Sequence, residues 1–309
     1  MNGAKSSTVT GTTATVKRGR FAPSPTGRLH LGSLYAAVGS YLDARLQGSE
    51  WWVRIENIDR AREVAGAADD ILRTLEAYGL HWDGPVLYQH TRSDAYRAAL
   101  ETLAQQGLAY RCDCERRDYA AATVGGEIRY PGRCRTRDIN PSRPHAWRLR
   151  TDGSDPIAIH DRLQPPLTQD VAAEVGDFVL WRKDGFPAYQ LAVVIDDAAQ
   201  GMTDIVRGLD LYDNTPRQRL LQSLLALPTP TTLHLPLLMD VRDEKLAKSK
   251  AAVPVEVTEA PATLYRILTL FGLDPPPELT HASPTVQLAW AVDQWRVERL
   301  PRAPSLRLR

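Results

Sequence analysis

The sequence has no run of about eighteen apolar residues, the length a helix needs to cross a bilayer, and so offers no membrane-spanning segment. Its first residues, Met1 to Gly19, are rich in Thr and Ser and lack the apolar centre of a secretory signal peptide. A cytoplasmic protein is the expectation. An excess of one charge is also lacking, because 38 Lys and Arg face 37 Asp and Glu, for a formal net charge of +1. A polyanionic partner would have to be held by a local basic patch, since overall charge does not nominate one. Cysteine is scarce: there are 3, Cys112, Cys114 and Cys134. An odd number confined to one short region argues against a disulfide framework and favours a metal site. There is no internal repeat.

What the chain does have is apolar material, 43% of 309 residues with 24% charged, enough for one large domain or a domain with insertions. Residues 1–18 offer almost nothing to bury and are expected to form a disordered tail. After the turn Pro23-Ser-Pro-Thr-Gly27, Leu31, Leu34, Tyr35, Val38, Leu42 and Leu46 recur at helical spacing, and Gly48 closes that helix. Trp51-Trp-Val-Arg-Ile55 reads as a buried strand with Glu56 at its carboxyl end. Helical patterns from Ile71 to Tyr78 and from Tyr96 to Leu103 complete an alternation that implies parallel βα units. Residues 19–109 are thus read as the first half of a Rossmann-like, doubly wound α/β catalytic domain. Residues 110–170, broken into cysteines, prolines, arginines and short alternating strands such as Trp147-Arg-Leu-Arg150, read as an inserted small domain. Residues 171–253 return to the main sheet. There Phe178 to Trp181 and Tyr189 to Ile195 are expected to form a hairpin about Lys183-Asp-Gly185, and Thr203 to Arg207 with a helix from Thr215 to Leu225 rebuild a βα unit. Residues 254–309 read as a short helical segment.

The most specific chemical signal is Arg20-Phe-Ala-Pro-Ser-Pro-Thr-Gly-Arg-Leu-His-Leu-Gly-Ser33, a strand end, a Pro/Gly turn and a helix opening with His30 and Gly32. Backbone donors at a helix N-terminus carry positive potential, Gly32 allows close approach of a nucleotide, and His30 can donate to phosphate oxygens. By composition alone the segment could equally be a proline-rich loop capping an ordinary helix.

This stretch resembles the HIGH signature of class I aminoacyl-tRNA synthetases, in the extended form of the glutamyl and glutaminyl enzymes, with His30-Leu-Gly-Ser33 as its variant. Lys245-Leu-Ala-Lys-Ser249 is similar to the second signature, KMSKS. Alone it would be a solvated basic loop; paired with the first signature it gains a role. The resemblance implies that Lys245, Lys248 and Ser249, with His30 and Gly32, bind ATP, and that in catalysis Lys248 neutralises the charge that grows on pyrophosphate while His30 donates to phosphate oxygens. Arg54-Ile-Glu-Asn-Ile-Asp59 resembles the family's R-I-E-D segment, with Asn57 in place of Asp, and Val206-Arg-Gly-Leu-Asp-Leu211 its R-G-x-D segment. By that likeness Glu56 takes the amine of L-glutamate, while Arg20 and Arg207 hold its carboxylates within a pocket that includes Phe21, Ala22, Pro23, Ser24 and Tyr189.

Three thiolates leave a tetrahedral structural zinc one ligand short. His145 is the conventional choice by chemistry, whereas the resemblance points to Tyr130, four residues before Cys134. A zinc here would fasten the insert without entering catalysis. The glutamyl enzymes carry a long C-terminal anticodon-binding region, and this chain ends about sixty residues after Lys248. The resemblance is therefore nearest to the glutamyl-queuosine tRNA(Asp) synthetases. It implies activation of glutamate with ATP and Mg²⁺, then transfer to queuosine in the anticodon of tRNA(Asp), by a monomer. Arg116, Arg117, Arg133, Arg135 and Arg137 are candidates for phosphate contacts, and each is equally readable as surface charge. The rivals are a minimal glutamyl-tRNA synthetase charging the 3′ end, a small-molecule adenylyltransferase of the same superfamily, and a non-catalytic RNA-binding relative.

Overall fold

Strands covered on both faces by helices tend to carry apolar runs, as Trp51-Trp-Val53 of the main sheet does. The computed structural model describes residues 16–120, 123–124, 127–240 and 254–308. In it β1 (Arg18–Phe21) leads through α1 (Leu31–Leu46) to β2 (Glu50–Ile55), and α2 (Ala67–Ala77) leads on to a short β3 (Leu87–Tyr88). Arg18, expected to lie in the N-terminal tail, is already in β1, and residues 1–15 lie outside the described residues. After α3 (Ser93–Gln105) the chain enters short strands: β4 (Ala109–Cys112), β5 (Thr123–Val124), β6 (Glu127–Ile128), β7 (Ala146–Leu149), β8 (Ile157–Ile159), β9 (Leu167–Gln169) and β10 (Val179–Trp181). Then come α4 (Tyr189–Ala199), β11 (Asp204–Gly208), α5 (Thr215–Leu224), β12 (Thr231–Leu235) and β13 (Leu237–Met239). The last elements are α6 (Ala260–Leu270), α7 (Pro284–Gln294) and β14 (Ser305–Arg307).

The main sheet runs β12-β11-β1-β2-β3, with every neighbouring pair parallel. From β1 the chain winds one way, to β2 and β3; from β11 it winds the other way, to β12. The winding reverses between β1 and β11, so a crevice opens beyond their carboxyl ends, where open α/β sheets place ligands. A separate antiparallel sheet, β10-β7-β4, gathers strands from the middle of the chain. The sequence pattern assigned residues 178–181 to the main sheet; β10 instead pairs with the inserted strand β7.

The expected second arm of a hairpin, Tyr189 to Ile195, is helix α4. The turn itself exists, with Gly185 at φ +88 and its N–H 3.1 Å from the Arg182 carbonyl. The helix after it is buried nearly all round, with Gln190, Leu191, Ala192, Val193, Val194, Asp196 and Asp197 all inaccessible. A short apolar run such as Leu191 to Ile195 cannot be told from a strand by periodicity, and its β-branched residues tip the reading toward one.

α1 is the helix that sets the crevice, and its packing is tight. A Cβ at Gly39 would lie 2.6 Å from Leu235 Cδ1 and 3.1 Å from Phe271 Cζ, so only glycine lets α1 approach β12 and the end of α6. Phe271 stacks on Tyr35 at 4.3 Å and meets the edge of Trp295 at 5.0 Å. Asp43 of α1, buried, accepts from Arg162 Nη1 at 2.6 Å and from Trp295 Nε1 at 3.1 Å, tying two distant segments to the same helix. The C-terminal segment is not helical throughout, because β14 pairs in parallel with β13.

Candidate active site

Arg20, Arg54 and Arg207 are the penultimate residues of β1, β2 and β11. All three guanidinium groups therefore sit in one layer at the carboxyl end of the sheet, with exposures of 4%, 0% and 5%. A buried cation needs hydrogen-bonding counter-charges. Arg20 finds them on α4: its Nε and Nη2 each donate to a different oxygen of Asp197, both at 3.1 Å. Arg54 Nη1 donates to Asp197 Oδ1 at 2.7 Å and to Gln200 Oε1 at 2.9 Å, while its Nη2 donates to Glu56 Oε1 at 3.1 Å. Burial alone would raise the Asp197 carboxyl, but the two arginines overcome it and hold the group at about 2. Glu56 moves the other way. Burial pushes its carboxyl above the ordinary 4.5, only partly offset by Arg54 and Arg20.

Arg207 is served differently. Its Nε donates to His234 Nε2 at 3.0 Å, and its Nη2 donates to Thr215 Oγ1 at 3.0 Å and Gln218 Oε1 at 2.9 Å. These partners are uncharged side chains, and Nη1 has no partner among the described residues. Burial lowers the pKa of this guanidinium, helped by repulsion from Arg20.

A cavity of about 240 Å³ is lined by Arg20, Phe21, Ala22, Ser24, Glu56, Tyr189 and Arg207, together with Ala36, Val206, Gly208 and Leu211. The structure thus brings together the residues expected around glutamate. Pro23 stays behind the wall, where its carbonyl accepts the Glu56 N–H at 2.9 Å and fixes the turn to the end of β2. A neighbouring cavity of about 220 Å³ shares Ala36 and Gly208 with the first and is lined by His30, Gly32, Ser33, Asp210, Leu237 and Leu238.

His30 is the N-cap of α1, with Nδ1 accepting the Ser33 N–H at 3.2 Å. A neutral ring that accepts at Nδ1 carries its proton on Nε2, which faces Ser33 Oγ at 2.9 Å. The first turn of α1 contains no acidic side chain, so the positive potential at its start is uncompensated from within. Lys245, Lys248 and Ser249 lie outside the described residues. Of the described flanks of that stretch, Leu237 and Leu238 line the second cavity, and Pro254 bridges to His30, itself in that lining.

The cysteines converge as their spacing suggests. The sulfurs of Cys112, Cys114 and Cys134 lie within 4.8 Å of one another. Tyr130 Oη is 3.3 Å from Cys112 Sγ and 3.8 Å from Cys114 Sγ, and it accepts the Cys134 N–H at 3.0 Å. Ligands at zinc bond lengths in a tetrahedron are separated by about 3.5–3.8 Å, so the donor set fits that ion. His145 is elsewhere, its Nδ1 2.8 Å from the Arg143 carbonyl. Arg148 lies 3.8 Å over the Tyr130 ring and donates to Cys112 Sγ at 3.3 Å. Of the arginines suggested for phosphate contacts, Arg135 spends its charge on Asp177, at 2.6 and 2.7 Å, and Arg137 faces Asp113 at 3.2 Å. Arg133 donates to the Asp118 carbonyl at 2.7 Å, while Arg116 and Arg117 are exposed.

Four participants are not signalled by the sequence pattern: Asp197, Asp161, His234 and Arg148. Asp197 is hidden by the strand-like look of α4. His234 and Asp161 have only the weak signal of a polar residue within an apolar strand or beside a short one.

The catalytic-domain model of the class I tRNA synthetases (E and Q) matches residues 16–278. The Glutamyl-Q tRNA(Asp) synthetase of Thiobacillus denitrificans is 51% identical over 93% of this chain and 95% of its own length. The protein of the same name from Synechococcus sp. is 45% identical, over 94% of this chain and 99% of its own length. Among solved structures, the glutamate-tRNA synthetase of Elizabethkingia anophelis shares the fold with a TM-score of 0.79 at 23% identity, over 95% of this chain and 68% of its own. A glutamate tRNA ligase from Elizabethkingia meningosepticum, solved with its amino acid, gives 0.77 at 23% identity over 94% of this chain, which spans 66% of that enzyme. The chain belongs to the glutamyl-Q tRNA(Asp) synthetase family, within the class I tRNA synthetases of the E and Q type.

Proposed function

We propose that this protein, a cytoplasmic monomer, activates L-glutamate with ATP and Mg²⁺ to glutamyl-adenylate without tRNA, and then transfers the glutamyl group to queuosine in the anticodon of tRNA(Asp). The carrying observation is Arg207, whose buried Nη1 has no partner among the described residues, in the wall of a cavity that Glu56 and Tyr189 also line. Glutamate fits such a site by charge. Its side-chain carboxylate satisfies Arg207, and its ammonium finds Glu56, whose ionised form gains from a cation there.

In the cavity beside the start of α1, His30 and the backbone around Gly32 would take the phosphates of ATP, with Lys245 and Lys248 supplying charge, and Ser249 a hydroxyl donor, for the departing pyrophosphate. Attack of the α-carboxylate on the α-phosphate then needs mainly alignment. In the second step a hydroxyl of the queuosine diol attacks the glutamyl carbonyl, and AMP leaves. A single-stranded anticodon loop can present such a base splayed outward. Cys112, Cys114, Cys134 and Tyr130 would hold a zinc ion that fastens residues 110–170 as a subdomain; bound there, it supplies structure and no catalytic chemistry.

Glutamate-dependent exchange of pyrophosphate into ATP, measured without tRNA, tests the first step. Radiolabelled glutamate offered to tRNA preparations with and without queuosine tests the second, and equal labelling of both would overturn the acceptor assignment in favour of the tRNA 3′ end.

A further inference from the structure

The orientation of Arg207 is set from outside the cavity. Its Nε–H is always a donor, so His234 Nε2, 3.0 Å away, must be unprotonated. The imidazole proton is therefore on Nδ1, which faces Asp161 Oδ2 at 2.6 Å. The other carboxylate oxygen, Oδ1, accepts three backbone N–H groups, from Leu163 at 3.1 Å, Gln164 at 3.0 Å and His234 at 3.1 Å. His234 is fully buried, with the Tyr212 ring against it at 4.8 Å. Asp161 lies between β8 and β9, well away in sequence from the strand that carries Arg207.

We infer that Asp161 and His234 are positioning residues for glutamate: Asp161 fixes the imidazole tautomer, and His234 thereby locks the Arg207 guanidinium so that Nη1 is the donor left for the substrate carboxylate. This rests on the glutamate reading of the cavity. The three N–H groups on Oδ1 make the inference sharp. In an Asp161→Asn variant only the amide oxygen can accept them, which forces the NH₂ group to face His234 Nδ1. That nitrogen must then accept, the proton moves to Nε2, and two donors confront each other at Arg207. The same isosteric change in a catalytic triad acts by imposing the wrong tautomer.

The test is the KM for glutamate in pyrophosphate exchange, with ¹⁵N NMR of histidine-labelled protein reporting the tautomer. Asp161→Asn is expected to raise the glutamate KM about 10- to 100-fold, the range for losing an interaction with a charged group, with the ATP KM changed less than about threefold. In a His234→Gln background, where the amide has no tautomers, the same substitution should add less than about threefold, a non-additivity that a merely structural role does not produce. An unchanged glutamate KM in Asp161→Asn, or a His234 ring protonated on Nε2 in the unmodified protein, would overturn the inference. A protein that shows the Nδ1–H signal, and its loss in Asp161→Asn, but no glutamate-dependent exchange would instead retain the tautomer lock and remove the glutamate reading.

Discussion

Asp197→Asn is the perturbation that most directly probes the buried charge array. In the native protein the carboxylate receives charge-assisted bonds from Arg20 Nε and Nη2 at 3.1 Å each and from Arg54 Nη1 at 2.7 Å, and it is 4% exposed. Arg20, Arg54, Glu56 and Asp197 sum to zero formal charge. The asparagine turns one of two acceptor oxygens into a donor facing a guanidinium and leaves the array at +1. Removing one member of a buried pair costs about 3–5 kcal/mol, because the remaining charge is stranded. The folded value of about 2 against 3.8 corresponds to roughly 2 kcal/mol of linkage, so the two routes agree in order of magnitude. Because the folded value is the lower one, this contribution is fully present above the unfolded value near 3.8 and is lost as pH falls toward about 2. Chemical denaturation of both proteins at pH 7 and at pH 3 measures it: the gap should be about 3–5 kcal/mol at pH 7 and smaller at pH 3. A gap below about 1 kcal/mol at pH 7 would refute the view that Asp197 anchors both arginines.

Other consequences can be checked alongside. Because burial holds the Glu56 carboxyl above 4.5, its ionised form and the grip on the substrate ammonium are lost on acidification before pH 4.5 is reached; a glutamate KM that rises on that limb in the native protein but is flat in Glu56→Gln supports its role, and parallel profiles would refute it. Freshly purified protein should contain about one zinc per chain; Tyr130→Phe should release it faster to a chelator, and His145→Ala should not change the release. Phe271, fully buried between Tyr35 and Trp295, should cost about 3–5 kcal/mol of stability when replaced by alanine, measured by denaturant midpoint.

The parts of the fold that could be read in the sequence were those with a long apolar stripe or a strong breaker. The stripe from Leu31 to Leu46 and the stop at Gly48 locate α1 because the stripe is too long for a strand and the chain then turns at φ +63. α4 could not be located this way, since its short apolar run from Leu191 to Ile195 reads equally as a strand, and with it went Asp197, the residue that organises Arg20 and Arg54. The cysteine cluster was legible because thiol spacing is a local signal. That Tyr130 Oη lies beside the sulfurs is a fold-level fact, and only the resemblance pointed to Tyr130. β10 and β14 were misplaced or missed for a related reason: two- and three-residue pairings are decided by which neighbour is in reach, which a local pattern does not encode.

The asymmetry among the three arginines bears directly on the choice of substrate. Two of them share Asp197 and Glu56 and are neutralised within the fold, so their cost is met whether or not a ligand is present. Arg207 donates instead to His234, Thr215 and Gln218, and the carboxylate behind them, Asp161, is one imidazole ring further out. An uncompensated buried cation costs several kcal/mol, and a protein optimised for stability alone would place a carboxylate or an apolar side chain there. A substrate that brings one negative charge closes the balance, whereas an isosteric amide leaves the cation buried and a donor facing a donor or a weaker acceptor. Discrimination of that kind, built on an unsatisfied polar group, is the strong form that a hydrophobic pocket cannot supply. The same charge count that makes the empty site costly is thus what makes it selective for a carboxylate.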